Sequence, residues 1–336
     1  MSTVSAPYTP ATRRTFYFIG VTTAQSSIMK VFPAWARYLN LGDVEMKGID
    51  LPIHASREAY REAVEFIEHD PLSEGALVTT HKIDLFAACR DLFDEIDPFA
   101  ATMGETSCLS KLDGRFICHA KDPITSGLSI DGFLQPAHFE KTGAEVFSMG
   151  AGGSTIALTW HLMQRERRGN RPSRVIVSNR SAGRLEEIER IHRELDLGVP
   201  CEYVLAPKAE DNDAVLRRLA PGALVINATG LGKDAPGSPL TDAALFPERA
   251  VVWDLNYRGN LVFLDQARRQ EARGADGRAG DDAAQLVDRV LLPFGAGENV
   301  QGALRNQEQP GHLEEHTQHR QYLQLDVHRS IILVAR

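Results

Sequence analysis

The hydrophobic positions of this chain fall into short apolar runs separated by stretches with helical spacing, and the alternation predicts elements one after another. An apolar run at 15–20 reads as a strand, followed by a polar loop at 21–27 and a helix at 28–40 that Ser26 or Ser27 caps. A short strand at 44–51 precedes a helix that Ser56 opens and that continues through 68, with Glu58 and Glu62 near its start. The run Gly75-Ala-Leu-Val-Thr-Thr-His-Lys82 reads as a buried strand that passes into hydroxyls, an imidazole and an amine, and 83–93 returns to helical spacing. Segments 103–109 and 115–120 read as a strand pair around Asp113-Gly114. Pro123 disfavours helix at Asp122, which puts that carboxylate at a strand end or in a loop, and a helical pattern covers 128–138.

The second half repeats the alternation around Phe147-Ser-Met-Gly-Ala-Gly-Gly-Ser-Thr155: a strand at 146–149, a glycine turn and a helix at 156–163. Gly150 suits a backbone angle that other residues resist, and Gly152 lets a pyrophosphate approach the main chain. The amides of Ala151, Gly152, Gly153 and Ser154 then face the anion at the helix start. The third position of the G-x-G-x-x-G pattern is Thr155, so looser packing of helix on strand is expected than with Gly or Ala. A strand at 174–178 ends in Asn179-Arg-Ser-Ala-Gly-Arg184. A site for NAD places Asp or Glu at such a strand end, whereas Arg180 and Arg184 suit the 2′-phosphate of NADP. A third run, 223–229, ends in Ala228, Thr229 and Gly230, where a strand passes beneath a cofactor, and a fourth covers 250–255.

Fold class follows from this order: α/β, in two domains. The divisions expected are a disordered lead at 1–14, a substrate-binding α/β domain at 15–135, a Rossmann-type doubly wound parallel sheet at 136–265, and a C-terminal segment at 266–336 that returns to the first domain. The tail from 306 to 329 is rich in Gln and His and differs in composition from the body.

The 336 residues suffice for two cores, and 43% apolar with 24% charged residues describes a soluble globular protein. A formal charge of −8 argues against nucleic acid as a partner. Four cysteines without C-x-x-C spacing fit reduced thiols, Cys89 among them as core, and a cytoplasmic location is expected. The N-terminal stretch has no apolar signal region, and no run reaches the roughly 20 apolar residues of a membrane span. His312-Leu-Glu-Glu-His316 fits the zinc pattern H-x-x-E-H, but with no third ligand nearby these residues read as solvated, and no metal is expected.

For hydride transfer at a carbinol carbon, a group must give or take the proton of the oxygen, and a lysine beside a carboxylate can do so. Lys82 and Asp122 are the candidates. Here the chain resembles the shikimate/quinate dehydrogenase family, over about 19–267. Leu77-Val-Thr-Thr-His-Lys82 is similar to N-V-T-x-P-x-K with its catalytic lysine, and His119-Ala-Lys-Asp122 to G-x-N-T-D with its partner aspartate. Gly104-Glu-Thr-Ser107 stands where the family reads G-A-x-N. Gly150-Ala-Gly-Gly153, Asn179-Arg-Ser181, Asn227-Ala-Thr229 and Asp254-Leu-Asn-Tyr257 resemble the cofactor half. The resemblance implies an NADP-dependent dehydrogenase related to aromatic amino acid biosynthesis, monomeric or homodimeric, acting on a small polar carbocycle. It implies nicotinamide near Thr229 and Asn256, and substrate contacts from Ser26 or Ser27, Thr79, Thr80, Ser107, Tyr257 and Gln301.

Departures fall on the substrate side: Ala24-Gln-Ser-Ser-Ile28 replaces H-S-x-S-P, Thr80 replaces proline, Ser107 the second asparagine, and Lys121 a threonine. A catalytic pair kept amid altered hydrogen-bonding groups implies the same reaction on a molecule other than shikimate. Lys121 either meets an acidic group or points to water. Two rivals remain: a ligand-sensing protein on this fold with catalysis lost, and a pteridine-type dehydrogenase.

Overall fold

The computed structural model describes residues 8–167, 169–232, 235–256 and 259–274, together with a strand at 285–287. They divide into two compact units, one ending at Lys121 and the next beginning at Asp122.

The first unit runs β1 (Thr15–Gly20), α1 (Ile28–Tyr38), β2 (Glu45–Asp50), α2 (Arg57–His69), β3 (Ser73–Val78), α3 (Lys82–Cys89), β4 (Glu95–Ile96), α4 (Pro98–Met103), β5 (Cys108–Leu112) and β6 (Arg115–His119). Its sheet has the order β2-β1-β3-β5-β6-β4, parallel across β2, β1 and β3 and antiparallel where β5 joins β3 and β6. β1 is buried at every position because both faces are covered. Phe16 and Phe18 point to the side that Ile28, Phe32 and Ala36 of α1 close. Tyr17 and Ile19 point to the other, against Tyr60, Ala63, Val64 and Ile67 of α2.

The second unit runs α5 (Asp122–Asp131), α6 (His138–Thr142), β7 (Val146–Met149), α7 (Gly153–Met163), β8 (Val175–Asn179), α8 (Ala182–Leu195), β9 (Cys201–Leu205), α9 (Ala209–Leu216), β10 (Leu224–Asn227), β11 (Val251–Asp254), α10 (Val262–Gly274) and β12 (Gln285–Val287). All its strands are parallel, in the order β12-β11-β10-β7-β8-β9. This is the doubly wound arrangement, whose direction of winding reverses between β7 and β10. The four strands read from the sequence in this half are present, each within two residues of its expected ends.

Several expectations are corrected. The described part of the lead is not disordered: Tyr8 stacks on Phe66 at 5.1 Å, and the buried Ala11 donates its N–H to Asp70 Oδ2 at 3.0 Å. A polar composition concealed two anchoring contacts. Residues 103–107 are not strand; α4 ends at Met103, its start fixed by the Asp97 side chain accepting from Ala100 N–H, with Pro98 next to the cap. Asp122 does not sit in a loop but opens α5, because a proline in the first turn lacks only an N–H that a helix start leaves unpaired. That helix ends at Asp131, not at 138. Likewise β3 stops at Val78, so Lys82 is the first residue of α3 rather than the end of a strand.

No helix among the described residues is long and apolar enough to cross a membrane. All four cysteines are free thiols, and Cys89 is fully buried.

Asp70 holds the lower edge of the first unit. It accepts from the Tyr17 hydroxyl at 2.7 Å, from Ala11 N–H and from Leu72 N–H, while Lys111 donates to its carbonyl. Burial works to raise its carboxyl, but the bonds from Tyr17, Ala11 and Leu72 and the charge of Lys111 hold it below the ordinary value. Asp70→Ala leaves a buried hydroxyl and a buried amide without an acceptor and is expected to cost about 2–4 kcal/mol in urea unfolding. A depressed carboxyl contributes stability above its unfolded value of 3.8 and loses it as pH falls through the lower folded value. The wild-type urea midpoint should therefore drop on acidification below pH ~4, and that drop should be smaller in Asp70→Ala.

Candidate active site

The glycine turn sits where the second sheet reverses its winding. Gly150 has φ +103°, and a Cβ there would lie 2.7 Å from the carbonyl oxygen of Ala228. Its amide donates to Ser178 O and the Ala228 amide to Met149 O, each at 2.8 Å, so the turn is pinned between β8 and β10. A Cβ on Gly152 would meet nothing within 4 Å, which leaves the main chain open to a ligand. α7 begins at Gly153, three residues earlier than expected, with no acid in its first turn. The amides at its start carry the positive end of the helix dipole.

Thr155 does not loosen the packing. It is fully buried, and its hydroxyl donates to Gly150 O at 2.6 Å and lies 3.0 Å from the Ser148 hydroxyl. The side chain braces the turn from inside, and Gly152, Gly153 and Ser154 are the residues that reach solvent.

At the end of β8, Asn179 is half-buried, its side chain donating to Ser181 O at 3.4 Å, while beyond it Arg180, Ser181 and Arg184 are exposed. The end of β10 is laced together. Asn227 Oδ1 accepts from the Thr229 amide at 3.1 Å and from its hydroxyl at 2.6 Å, and Asn227 Nδ2 donates to Asp254 Oδ1. Asn256 donates to Leu231 O at 2.9 Å, and its own amide donates to Asp254 Oδ1 at 2.8 Å. Asn256 is thus a staple for the loop after β10, and Asn227 and Asp254, absent from the sequence-level site, hold Ala228, Thr229 and Gly230 in place.

In the first unit, the loop from Thr79 to Lys82 is fixed at both ends. Lys82 N–H donates to Thr79 O, and Lys82 O accepts from Thr106 N–H, each at 3.1 Å. Beside it the buried His81 ring lies 2.9 Å from the Tyr60 hydroxyl. Lys82 and Thr79 are half-buried and Thr80 exposed. Ser26 and Ser27 are half-buried and follow a single 3-10 turn, Thr23–Gln25. Thr23 donates to Asp50 from both amide and hydroxyl, and it presses so near β2 that a Cβ on Gly48 would meet its Oγ1 at 1.9 Å.

Ser107 links β3 and β6 and the residue that follows β6 by two. Its carbonyl accepts from Val78 N–H, its amide donates to His119 O, and its hydroxyl accepts from Lys121 N–H at 2.8 Å. Next to it is a chain that no spacing in the sequence announced. Ser110 Oγ lies 2.8 Å from His119 Nε2, and His119 Nδ1 lies 3.2 Å from Asp97 Oδ2. Asp97 Oδ2 in turn lies 3.9 Å from the Lys121 ammonium. Ser110 is 1% exposed, so this Ser-His-Asp order serves to hold the carboxylate, not to attack a substrate. Burial works to raise the Asp97 carboxyl, but His119, the Ala100 amide and the Lys121 charge hold it below its ordinary value. Burial also pushes the neighbouring Cys108 thiol up to about 12, with Lys121 pulling the other way. Lys121 is largely buried, with its ammonium on the Asp97 side.

Tyr257, Gln301, His312 and His316 lie outside the described residues. Among the described residues, no group of three or more His, Cys, Asp or Glu side chains could hold a metal ion.

The chain is 25% identical over 185 residues to a shikimate dehydrogenase (NADP(+)) of Lactococcus lactis subsp. cremoris, covering 55% of this chain and 61% of that one. It is 28% identical over 281 residues to one from Sphingopyxis alaskensis, covering 82% and 88%. Among solved structures, the shikimate dehydrogenase of Aquifex aeolicus superposes with a TM-score of 0.62 at 18% identity over 90% of this chain and 96% of that one, a likeness of fold. The chain spans about three fifths of the Lactococcus relative. No family model matches it.

The two glycines of the turn should separate in a stability measurement. Gly150→Ala combines a positive φ with a backbone clash and is expected to cost at least about 2 kcal/mol, read as a lowered thermal midpoint. Gly152→Ala, facing open space, should remain within about 1 kcal/mol of the parent.

Proposed function

We propose that this chain, a divergent member of the shikimate dehydrogenase-like family, is an NADP-dependent oxidoreductase acting on a ring hydroxyl or ketone of a small polar carbocycle. The observation that carries this reading is the Gly150 turn at the reversal point of a doubly wound sheet, with Arg180 and Arg184, and no acid, just beyond the end of β8.

Those residues fit the cofactor. The open main chain at Gly152 and the amides of Gly153 and Ser154 suit a pyrophosphate, and the two exposed guanidinium groups suit a 2′-phosphate. Asn179 and Ser181 border the adenosine side, and Ala228, Thr229, Gly230 and Asn256 the nicotinamide side. NADP, when bound, supplies or accepts the hydride. Lys82 moves the proton at the substrate oxygen and Asp122 is its carboxylate partner, roles that rest on the motifs holding these residues. Ser26 or Ser27, Thr79, Thr80, Ser107, Tyr257 and Gln301 meet the substrate. The protein acts in the cytoplasm as a monomer or homodimer, without a nucleic-acid partner. The relatives named above are shikimate dehydrogenases, which supports neither the sensing rival nor the pteridine one.

Fluorescence titration of the purified protein should show NADPH binding at least about tenfold tighter than NADH, and replacing both Arg180 and Arg184 by Ala should erase the difference. Failure of either cofactor to bind would remove the dehydrogenase reading. Lys82→Ala should cut turnover by about two orders of magnitude or more with NADPH affinity nearly unchanged, since a proton-transfer group acts on the chemical step and not on cofactor binding.

A further inference from the structure

Asp97 stands between β4 and α4, and its two carboxylate oxygens serve different neighbours. Oδ1 accepts from Ala100 N–H at 2.8 Å and caps α4. Oδ2 is turned toward the end of β6, where it accepts from Ala120 N–H at 3.2 Å, lies 3.2 Å from His119 Nδ1 and faces the Lys121 ammonium at 3.9 Å. The main chain makes the same connection, Asp97 N–H donating to Cys118 O at 2.9 Å. A cap needs one oxygen and no partner on another strand, so the start of α4 does not account for the second set of contacts.

What the second oxygen holds is the stretch that leads into Asp122. The amide of Ala120 is fixed by Asp97, and the amide of Lys121, the next residue, by Ser107 Oγ at 2.8 Å. Two consecutive main-chain groups just before the carboxylate partner of Lys82 are thus tied to side chains, beyond the β5–β6 ladder that ends at His119. The chain at Lys82 is anchored at the same place. Thr106 N–H donates to Lys82 O at 3.1 Å, so Thr106 and Ser107, neighbours in sequence, hold both the chain at Lys82 and the chain before Asp122. His119 keeps Oδ2 in place, its other ring nitrogen lying 2.8 Å from the buried Ser110 hydroxyl.

We infer that Asp97 is a positioning residue for the reaction. Through Oδ2 it fixes the backbone at 120–121, and with it the point from which Asp122 enters α5, while Oδ1 caps α4. The inference rests on the dehydrogenase reading for the statement that Asp122 works with Lys82. Asp97 takes no part in the proton transfer itself. Its effect comes through alignment, where a displacement of about 1 Å can cost a factor of about 100 in rate.

The test compares Asp97→Ser with the wild-type protein. Serine caps a helix as aspartate does but has no second oxygen, so the start of α4 survives and the hold on 120–121 is lost. Amide hydrogen exchange, read on peptides, should rise at least about tenfold at 119–124 and stay within about twofold at 98–103. With NADP(+) and shikimate as the probe substrate, kcat should fall at least about tenfold while the KM for NADP(+) stays within about twofold. Asp70→Ala, a carboxylate removed elsewhere in the same unit, should lower the urea midpoint and leave kcat within about twofold of the parent. Unchanged exchange at 119–124, equal loosening at 98–103, or faster exchange with an unchanged kcat each overturn the inference. Residue-level exchange in the wild-type protein needs no variant: the amides of Ala120 and Lys121 should exchange as slowly as those of β6, and exchange at the rate of an open loop overturns the inference as well. Absence of NADPH binding in the wild-type protein removes the dehydrogenase reading instead, and the exchange data still decide whether Asp97 holds the chain before Asp122.

Discussion

At the reversal point of the second sheet, the backbone of Gly150 approaches the carbonyl of Ala228 so closely that there is no room for a side chain, and the rest of that half depends on this contact. β7 must end there for α7 to begin at Gly153, and β10 must end beside it for Asn227 to turn the chain back upon Thr229. Thr155 completes the arrangement from beneath by donating to Gly150 O. A larger residue at 150 would push the two strand ends apart and displace the amides that face solvent. The same constraint that sets the packing thereby creates an anion-facing opening.

The first unit uses a different device. Its parallel strands end in loops that need to be held, and hydrogen bonds do this: main-chain bonds join Thr106 to Lys82 and Ser107 to Val78 and His119, and the Asp50 carboxylate holds Thr23. Two of these bonds tie Ser107 to β3 and β6, so its position follows from the sheet. Asp97 shows how one carboxylate can do two jobs, capping α4 through Oδ1 and steadying Lys121 through Oδ2. Its hydrogen bonds disperse the charge, which makes a buried cation tolerable without neutralising it.

The substrate-side departures from the shikimate dehydrogenase motifs, at Ala24-Gln-Ser-Ser-Ile28, Thr80, Ser107 and Lys121, all fall in the first unit. Ser107 and Lys121 stand where the family has an asparagine and a threonine, and both are tied into the set of polar contacts with Val78, His119 and Asp97. In the glycine turn the departure is Thr155, which is buried and braces the turn through its bond to Gly150 O.

What the chain determined by itself is whatever depends on neighbours in sequence. The strand at Val146–Met149, the glycine turn, Arg180 and Arg184 after β8, and the Ser56 cap all follow from local backbone preference and from the period of apolar residues. Short elements escaped this reading: α4 has six residues and β4 two, too few for a period to show. The lead at 8–14 looked mobile because its polarity is local, while its anchors Phe66 and Asp70 are more than fifty residues away. Tertiary structure alone decided the chain Ser110, His119, Asp97 and the fate of Lys121. These residues meet only after β5 and β6 pair and α4 is capped beside them, and a side chain that might equally have faced water is buried by that pairing.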